Sequence, residues 1–348
     1  MTFDSAELRP MPWLRYSLLL LCVLALFVAE LTVGVVGIPL SAVLGAIVGA
    51  EVDVVWVNIL FEFRMPRALN ALFSGAALGA TGLLLQTLFR NPLADPFVLG
   101  IVHSARLGAA VLVTMAGVAG NGLLIKFGVM GDVGLALASV AGSTLLLSLL
   151  ALLSGRLNAI TLLITGLMFG YLAVGLISVL MHFIDENQAR AFKVWDDASF
   201  AGATVAQLRL LIPGVLLGLV ALGVLSKPLN ALLLGDRYAA SMGMSVKRVR
   251  RSALFIAAWL CGLVTAFCGP VAFLGLVAAQ VARGVLRTGD HRQLMPGAVL
   301  IGAALGLAAD LVTHLPWSRH VLHLNAVIGL VGAPVALFVL LRRRQPGS

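Results

Sequence analysis

Residues 64–108 read RMPRALNALFSGAALGATGLLLQTLFRNPLADPFVLGIVHSARLG, two apolar segments joined by a hairpin rich in proline and polar residues. Within the hairpin, Asn91 precedes Pro92 and Asp95 precedes Pro96. Each pair suits a helix start, because the side-chain oxygen accepts an orphan N–H and the proline has no N–H to leave unpaired. The pattern predicts one helix ending near Arg90 and another beginning near Pro96. The first segment sets Gly75 and Gly79 four apart, with Ala71, Ala76 and Gly82 close by. Small residues at that spacing let a second helix backbone approach closely in lipid. The stretch therefore reads as an assembly surface inside a membrane.

The rest of the chain agrees. Of 348 residues, 60% are hydrophobic and only 11% charged, too little polar surface to cover a soluble globule of this size. Apolar runs long enough to cross a bilayer, about 20 residues each, recur at about 13–36, 66–88, 97–118, 132–153, 160–183, 206–226, 252–268, 271–286, 296–312 and 325–341. The expected fold class is all-α, a polytopic membrane protein of about ten transmembrane helices in one domain, 1–348. The first apolar run is too long for the core of a signal peptide and reads as a retained span. Residues 37–63 form an amphipathic, mildly acidic connection. Residues 185–205 carry too many charges to cross lipid, yet Phe192, Val194, Trp195 and Phe200 make them more than a linker, so a short helix at the outer membrane surface is expected.

Charge sets the orientation. With ten spans and residues 1–12 as a cytoplasmic tail, about 16 Lys/Arg residues face inward and about 7 outward, which favours both termini in the cytoplasm of a bacterial inner membrane. The formal net charge of +9 is then a solvated positive face and calls for no nucleic acid. The cysteines, Cys22, Cys261 and Cys268, lie in apolar runs without metal-ligand spacing and read as small core residues.

No phosphate loop, zinc helix or nucleophile elbow occurs in the chain. Chemical energy must come from elsewhere, or the protein is passive. Ionisable residues within the spans are few: Asp310 in the ninth, and His103 and Arg106 three apart on one face of the third. Asp310 suits a structural acceptor between helices. His103 and Arg106 sit either at an interface or beside a route for an anionic or metal-bearing solute. Arg64 and Arg67 enter the second span from the outer side, against the inside bias, as lipid anchors or as a dock for an acidic partner. In the cytoplasmic loop 229–251, Tyr238, Met242 and Met244 interleave with charges, as in a short helix held in a partner's groove.

These residues carry a family likeness. The run GAALGATGLLLQTLFRNPLADPFVLGI closely resembles the signature of the permease subunits of ABC importers for vitamin B12, ferric siderophores and haem. So do the RMPR entry, LNALLLGDRYAASMGMSVKRVR, GPVAFLGLVAAQVAR, GDHRQLMPGAVLIGAALGLAAD and GLVGAPVALFVLL. The resemblance implies a type II ABC importer fold that pairs with a second copy. Two ATP-binding subunits would use ATP and Mg below, and a soluble substrate-binding protein would dock above. The chain itself would bind no cofactor or metal and catalyse no reaction. By resemblance, Arg64 and Arg67 face the binding protein, with Arg319 placed on the same side. Gly235, Asp236, Ala239, Met242, Gly243 and Arg248 lie in the segment that couples to the ATP-binding subunits. Gate positions fall near His103 and on Asn158 and Ala159.

The sequence also departs from the family pattern. VHSARLG, with His103 and Arg106, stands where small residues are usual; Ala279-Gln280 replaces a Pro-His pair; and His323-Leu-Asn-Ala-Val-Ile-Gly lacks an acidic residue and its proline. Imidazole ligates haem iron and Arg pairs with carboxylates such as propionates, so His103 with Arg106 leans toward haem among the chelates. Two other classes fit less well: an ion-gradient transporter with Asp310 as its ion site, and an intramembrane enzyme using His103 for acid–base work.

Overall fold

A computed structural model describes residues 13–34, 36–118, 129–153, 157, 159–314 and 322–343. In chain order its elements are α1 Trp13–Thr32, α2 Leu40–Val48, α3 Val54–Asn58, a π-helical turn Ile59–Arg64, α4 Met65–Leu88, α5 Ile101–Val118, α6 Val129–Leu153 and α7 Ala159–Met181. There follow α8 Glu186–Asp196, α9 Val205–Leu233, α10 Asp236–Ser241, α11 Val246–Cys268, α12 Leu274–Leu286, α13 His291–Thr313 and α14 Leu324–Arg343. Among the described residues, seven helices are long and apolar enough to cross a membrane, and three shorter apolar helices begin at Ile101, Leu274 and Leu324. Together these are the ten spans that the sequence predicts. One end of the bundle, the basic end, carries Arg90 and Arg250 around Asp236, and the opposite end carries Arg67 paired with Asp310.

The centre of the bundle is α4, buried along almost its whole length. Its glycines explain why. A Cβ at Gly75 would stand 2.3 Å from the Gly302 carbonyl oxygen, and one at Gly79 would stand 2.4 Å from that of Ala298. Conversely, a Cβ at Gly306 would meet the Ala71 carbonyl at 2.4 Å. The two GxxxG seams, on α4 and α13, thus face each other and bring the backbones into contact. Gly82 makes the same approach to Gly275 at the start of α12. The assembly surface of the opening stretch is used within the chain. The outer helices point leucines away from the protein: Leu21 is 63% exposed and Leu217 64%, as lipid-facing positions should be.

Two boundaries differ from expectation. Helix α5 starts at Ile101, not near Pro96, because residues 92–100 form successive turns. Gly100 adopts φ 73° where its backbone meets Gly166 and Gly170 of α7, a left-handed conformation that no β-carbon-bearing residue would take cheaply. The Asp95 carboxylate caps Phe97 N–H at 2.9 Å and reaches Leu276 N–H at 2.9 Å with its other oxygen. Helix α9 continues through Pro228 to Leu233. Proline is tolerated inside spanning helices where neighbours satisfy the freed backbone, and Asn230, beyond it, is held by the His291 N–H, which donates to its Oδ1 at 2.8 Å.

Candidate functional site

Two interruptions lie side by side inside the bundle. The turns at 92–100 lead into α5, and residues 269–273 lead into α12, a helix of only 13 residues. Asp95 bridges them by accepting from Leu276 N–H. Phe97 stacks on Phe273 with centroids 6.3 Å apart, and His103 tilts against Phe97 at 4.6 Å. Phe273 itself has φ 60°. Asn325, at the start of α14, secures the second break: its Oδ1 accepts from Ala272 N–H at 3.0 Å and its Nδ2 donates to the Pro270 carbonyl at 2.8 Å. Irregular backbone at membrane depth is tolerated only where protein buries it or where it lines a cavity, and broken helices are where transporters place their solute path.

Helix α8 closes over this region. Its N-cap Asp185 accepts from Gln188 N–H at 2.9 Å, and its apolar face, Phe192 and Trp195, packs against Leu107 and Ala110 of α5. Trp195 Nε1 donates to the Ala266 carbonyl at 2.9 Å. Asp196 receives Arg106 in a two-point fork, Nε to Oδ1 at 2.6 Å and Nη2 to Oδ2. Arg106 Nη1 lies 3.1 Å from His103 Nδ1. Because a guanidinium only donates, Nδ1 is the accepting nitrogen and the ring proton sits on Nε2. The structure thus brings His103 and Arg106 together, as the sequence predicts, but turns Arg106 toward α8 while His103 packs on Phe97 and beside Gly170. In this conformer the charge of Arg106 is matched by Asp196, and neither imidazole nitrogen presents a free lone pair. Asp196 was not singled out in the sequence; its signal is an acidic residue at the end of an amphipathic stretch, 90 positions from its partner.

At the opposite end, Arg67 forks onto Asp310, Nε to Oδ2 at 2.6 Å and Nη2 to Oδ1 at 2.9 Å, and also donates to Thr313 Oγ1 at 3.0 Å. Asp310 is therefore the interhelix acceptor that its sequence context suits, and with both oxygens engaged it makes a poor ion-transport site. Arg64 donates to the carbonyls of Leu31, at 2.8 Å, and Val36, fixing the exit from α1. Two further residues join them. His314 Nδ1 lies 2.7 Å from the Asp310 carbonyl, so it is the donor, and Nε2 faces buried Glu30 at 3.4 Å. Burial and the neighbouring Arg67 guanidinium lower the basicity of His314. Glu30, Asp310 and His314 offer ligand atoms within 4.8 Å of one another, but the arginines already supply the positive charge that a metal ion would bring.

At the basic end, Asp236 opens α10 and pairs with Arg90 at 2.8 Å and Arg250 at 3.0 Å. Gly235, at φ 110°, and Gly243, at φ 78°, bracket the helix. Ala239 anchors it in the core, while Tyr238 and Met242 point outward, 52% and 62% exposed. Arg248 is exposed on the first turn of α11. Ala159 opens α7; Asn158 and Arg319 lie outside the described residues.

Residues 20–342 match the FecCD transport family. The chain belongs to that family. Over 99% of both chains it is 32% identical to the hemin transport system permease protein HmuU of Yersinia pestis. It is also 32% identical to the vitamin B12 import system permease protein BtuC of Klebsiella pneumoniae, over 83% of this chain and 84% of that one. Among solved structures, a metal-chelate type ABC transporter in an inward-facing conformation superposes with a TM-score of 0.78 at 25% identity, covering 96% of this chain and all of that one. PsaBC from Streptococcus pneumoniae shares the fold alone, with a TM-score of 0.54 at 16% identity. Family membership makes this chain a multi-pass transport permease.

Proposed function

We propose that this FecCD-family permease is the membrane-spanning subunit of an ATP-driven importer for an iron-bearing or corrin-type chelate, with haem as its substrate. The observation that carries the choice of haem is the end-to-end match to a hemin permease, over 99% of both chains. Two copies would enclose the solute path beside the breaks at 92–100 and 269–273. Two ATP-binding subunits, using ATP and Mg, would sit under the basic end and engage Gly235, Asp236, Ala239, Met242, Gly243 and Arg248. A soluble binding protein would dock on the end that carries Arg64 and Arg67, and by sequence expectation would also meet Arg319. Both termini would be cytoplasmic, in line with the positive-inside bias.

The proposed cycle needs no covalent chemistry from this chain. Solute-loaded binding protein and ATP need only favour different conformers of the pair, since differential affinity is what moves such an equilibrium. By the family resemblance, His103, Asn158 and Ala159 would be the positions where the path narrows. Arg106 would hold α8 over the path through Asp196, so opening toward the binding protein would loosen that fork.

Co-purification tests the class. An ATP-binding subunit recovered in equal amount, with haem taken up by the reconstituted complex only when ATP is supplied, is the expected result. Solute uptake by the chain alone in liposomes, driven by an ion gradient, would overturn it. Uptake of a ferric siderophore in preference to haem would leave the importer standing and overturn the substrate.

A further inference from the structure

A groove of about 860 Å³ runs between α6 and α11 at the basic end. The family match assigns it no role. Its walls are apolar and open sideways: Leu152 is 77% exposed and Phe255 53% exposed, both on spanning helices. Side chains of that kind on the flank of a membrane bundle face acyl chains. Its mouth is ringed within two turns of α11 by Lys247, Arg250 and Arg251. Among the described residues neither Lys247 nor Arg251 has an ion-pair or hydrogen-bond partner, and both are exposed.

Two buried donors in the groove are also unsatisfied. Arg250 Nε and Thr144 Oγ1 are both enclosed and have no hydrogen-bond partner. A buried polar atom without a partner in an otherwise well-bonded protein calls for a missing one. Arg250 directs Nη2 to Asp236, 3.2 Å from Oδ1, so the unpartnered Nε is not needed for that pair. Thr144 lies two turns deeper than Ala151 along α6. A ligand that accepts hydrogen bonds at two depths, is negative at the shallower one and apolar beyond the deeper one would suit these groups and the cations at the mouth.

From this geometry we infer that the groove between α6 and α11 is a binding site for an anionic phospholipid such as phosphatidylglycerol. The phosphodiester meets Arg250 Nε, Lys247 and Arg251; a glycerol ester carbonyl accepts from Thr144; and an acyl chain lies along Phe255 and Leu152. A zwitterionic headgroup fits worse, because its ammonium would be carried toward three cations. Basic pockets between spanning helices are suited to acidic lipid headgroups on charge alone. The site needs no choice of leaflet, so it stands apart from the proposed transport direction. Through Arg250 the bound lipid would share a guanidinium with Asp236, the residue that positions α10.

Native mass spectrometry of the full chain, purified without ATP-binding subunits and supplied with equal phosphatidylglycerol and phosphatidylcholine, tests the site. Wild type should retain one phosphatidylglycerol per chain in preference to phosphatidylcholine. Lys247→Ala/Arg251→Ala, at exposed positions that leave the fold intact, should weaken retention roughly 25-fold. Ser148→Trp fills the groove from an exposed wall position and should abolish retention with every cation in place. Equal retention of the two lipids by wild type would overturn the proposal. So would undiminished phosphatidylglycerol on either variant, since the first removes the charge and the second the groove.

Discussion

Both ends of the bundle carry an arginine–aspartate contact, and the two differ in almost everything but chemistry. At the Asp310 end the carboxylate is 2% exposed and meets Arg67 through two parallel hydrogen bonds. At the Asp236 end the carboxylate is 41% exposed, Arg90 is 55% exposed, and two arginines share the one acid. A buried, two-point pair is costly to break, because either partner left alone is an unpaired charge in a medium that cannot solvate it. An exposed pair exchanges readily with water and contributes little to stability. The first therefore fastens α4 to α13 permanently, and the second positions a knob that can be pushed. Arg106–Asp196 lies between them, with side chains 13% and 26% exposed. It joins a spanning helix to a surface helix, where a fastening that can open is needed.

The largest effect is expected at the buried end. Asp310→Ala should lower the stability of the detergent-solubilised protein by about 3–5 kcal/mol, read as a large drop in thermal midpoint. Arg67→Ala should cost a similar amount by leaving Asp310 unpaired. The double replacement Arg67→Met/Asp310→Leu should recover much of the loss, since a well-packed apolar pair can match a buried ion pair. If either single variant melts with wild type, the fastening role is wrong and Arg67 is free to meet a binding protein directly.

Arg106→Ala should come next, costing about 1.5–3 kcal/mol as a lost charge-assisted bond. Its distinctive consequence is on α8: spin labels at exposed Val194 and on the end of α9 should show a broader distance distribution once the fork is gone. Asp196→Ala should reproduce that broadening. A narrow distribution in both variants would mean that Phe192 and Trp195 alone hold α8, leaving Arg106 available to solute.

How much of this was legible in the sequence follows from how local each signal is. Ten helices were readable because each apolar run and each break is written in consecutive residues. The two glycine seams were visible as spacings, but nothing in the spacing says that Gly75 and Gly302 meet. The start of α5 was misplaced by five residues because the Asp95 cap reaches a backbone N–H 181 positions away. His103 and Arg106 stood out as ionisable residues in a span, while Asp196, which decides what they do, looked like one charge among many on a surface helix. Glu30 was hidden in the same way, in an apolar run whose end folds onto His314. Local chemistry could be read; partnership across the bundle could not.

The smallest stability effect belongs to Asp236→Ala, which should shift the unfolding free energy by less than about 1 kcal/mol because the carboxylate is 41% exposed and Arg90 55%. Function should not follow stability here. Asp236 sets where Tyr238 and Met242 project, and under the proposed function those side chains transmit closure of the ATP-binding subunits. The variant should therefore assemble and keep its thermal midpoint, yet hydrolyse ATP with little response to loaded binding protein. Arg90→Ala should give a weaker version of the same phenotype, since Arg250 still reaches the acid. Should Asp236→Ala instead couple normally, then Ala239 in the core and the glycines at its ends suffice to position α10. The contrast between the two ends would then reduce to burial alone.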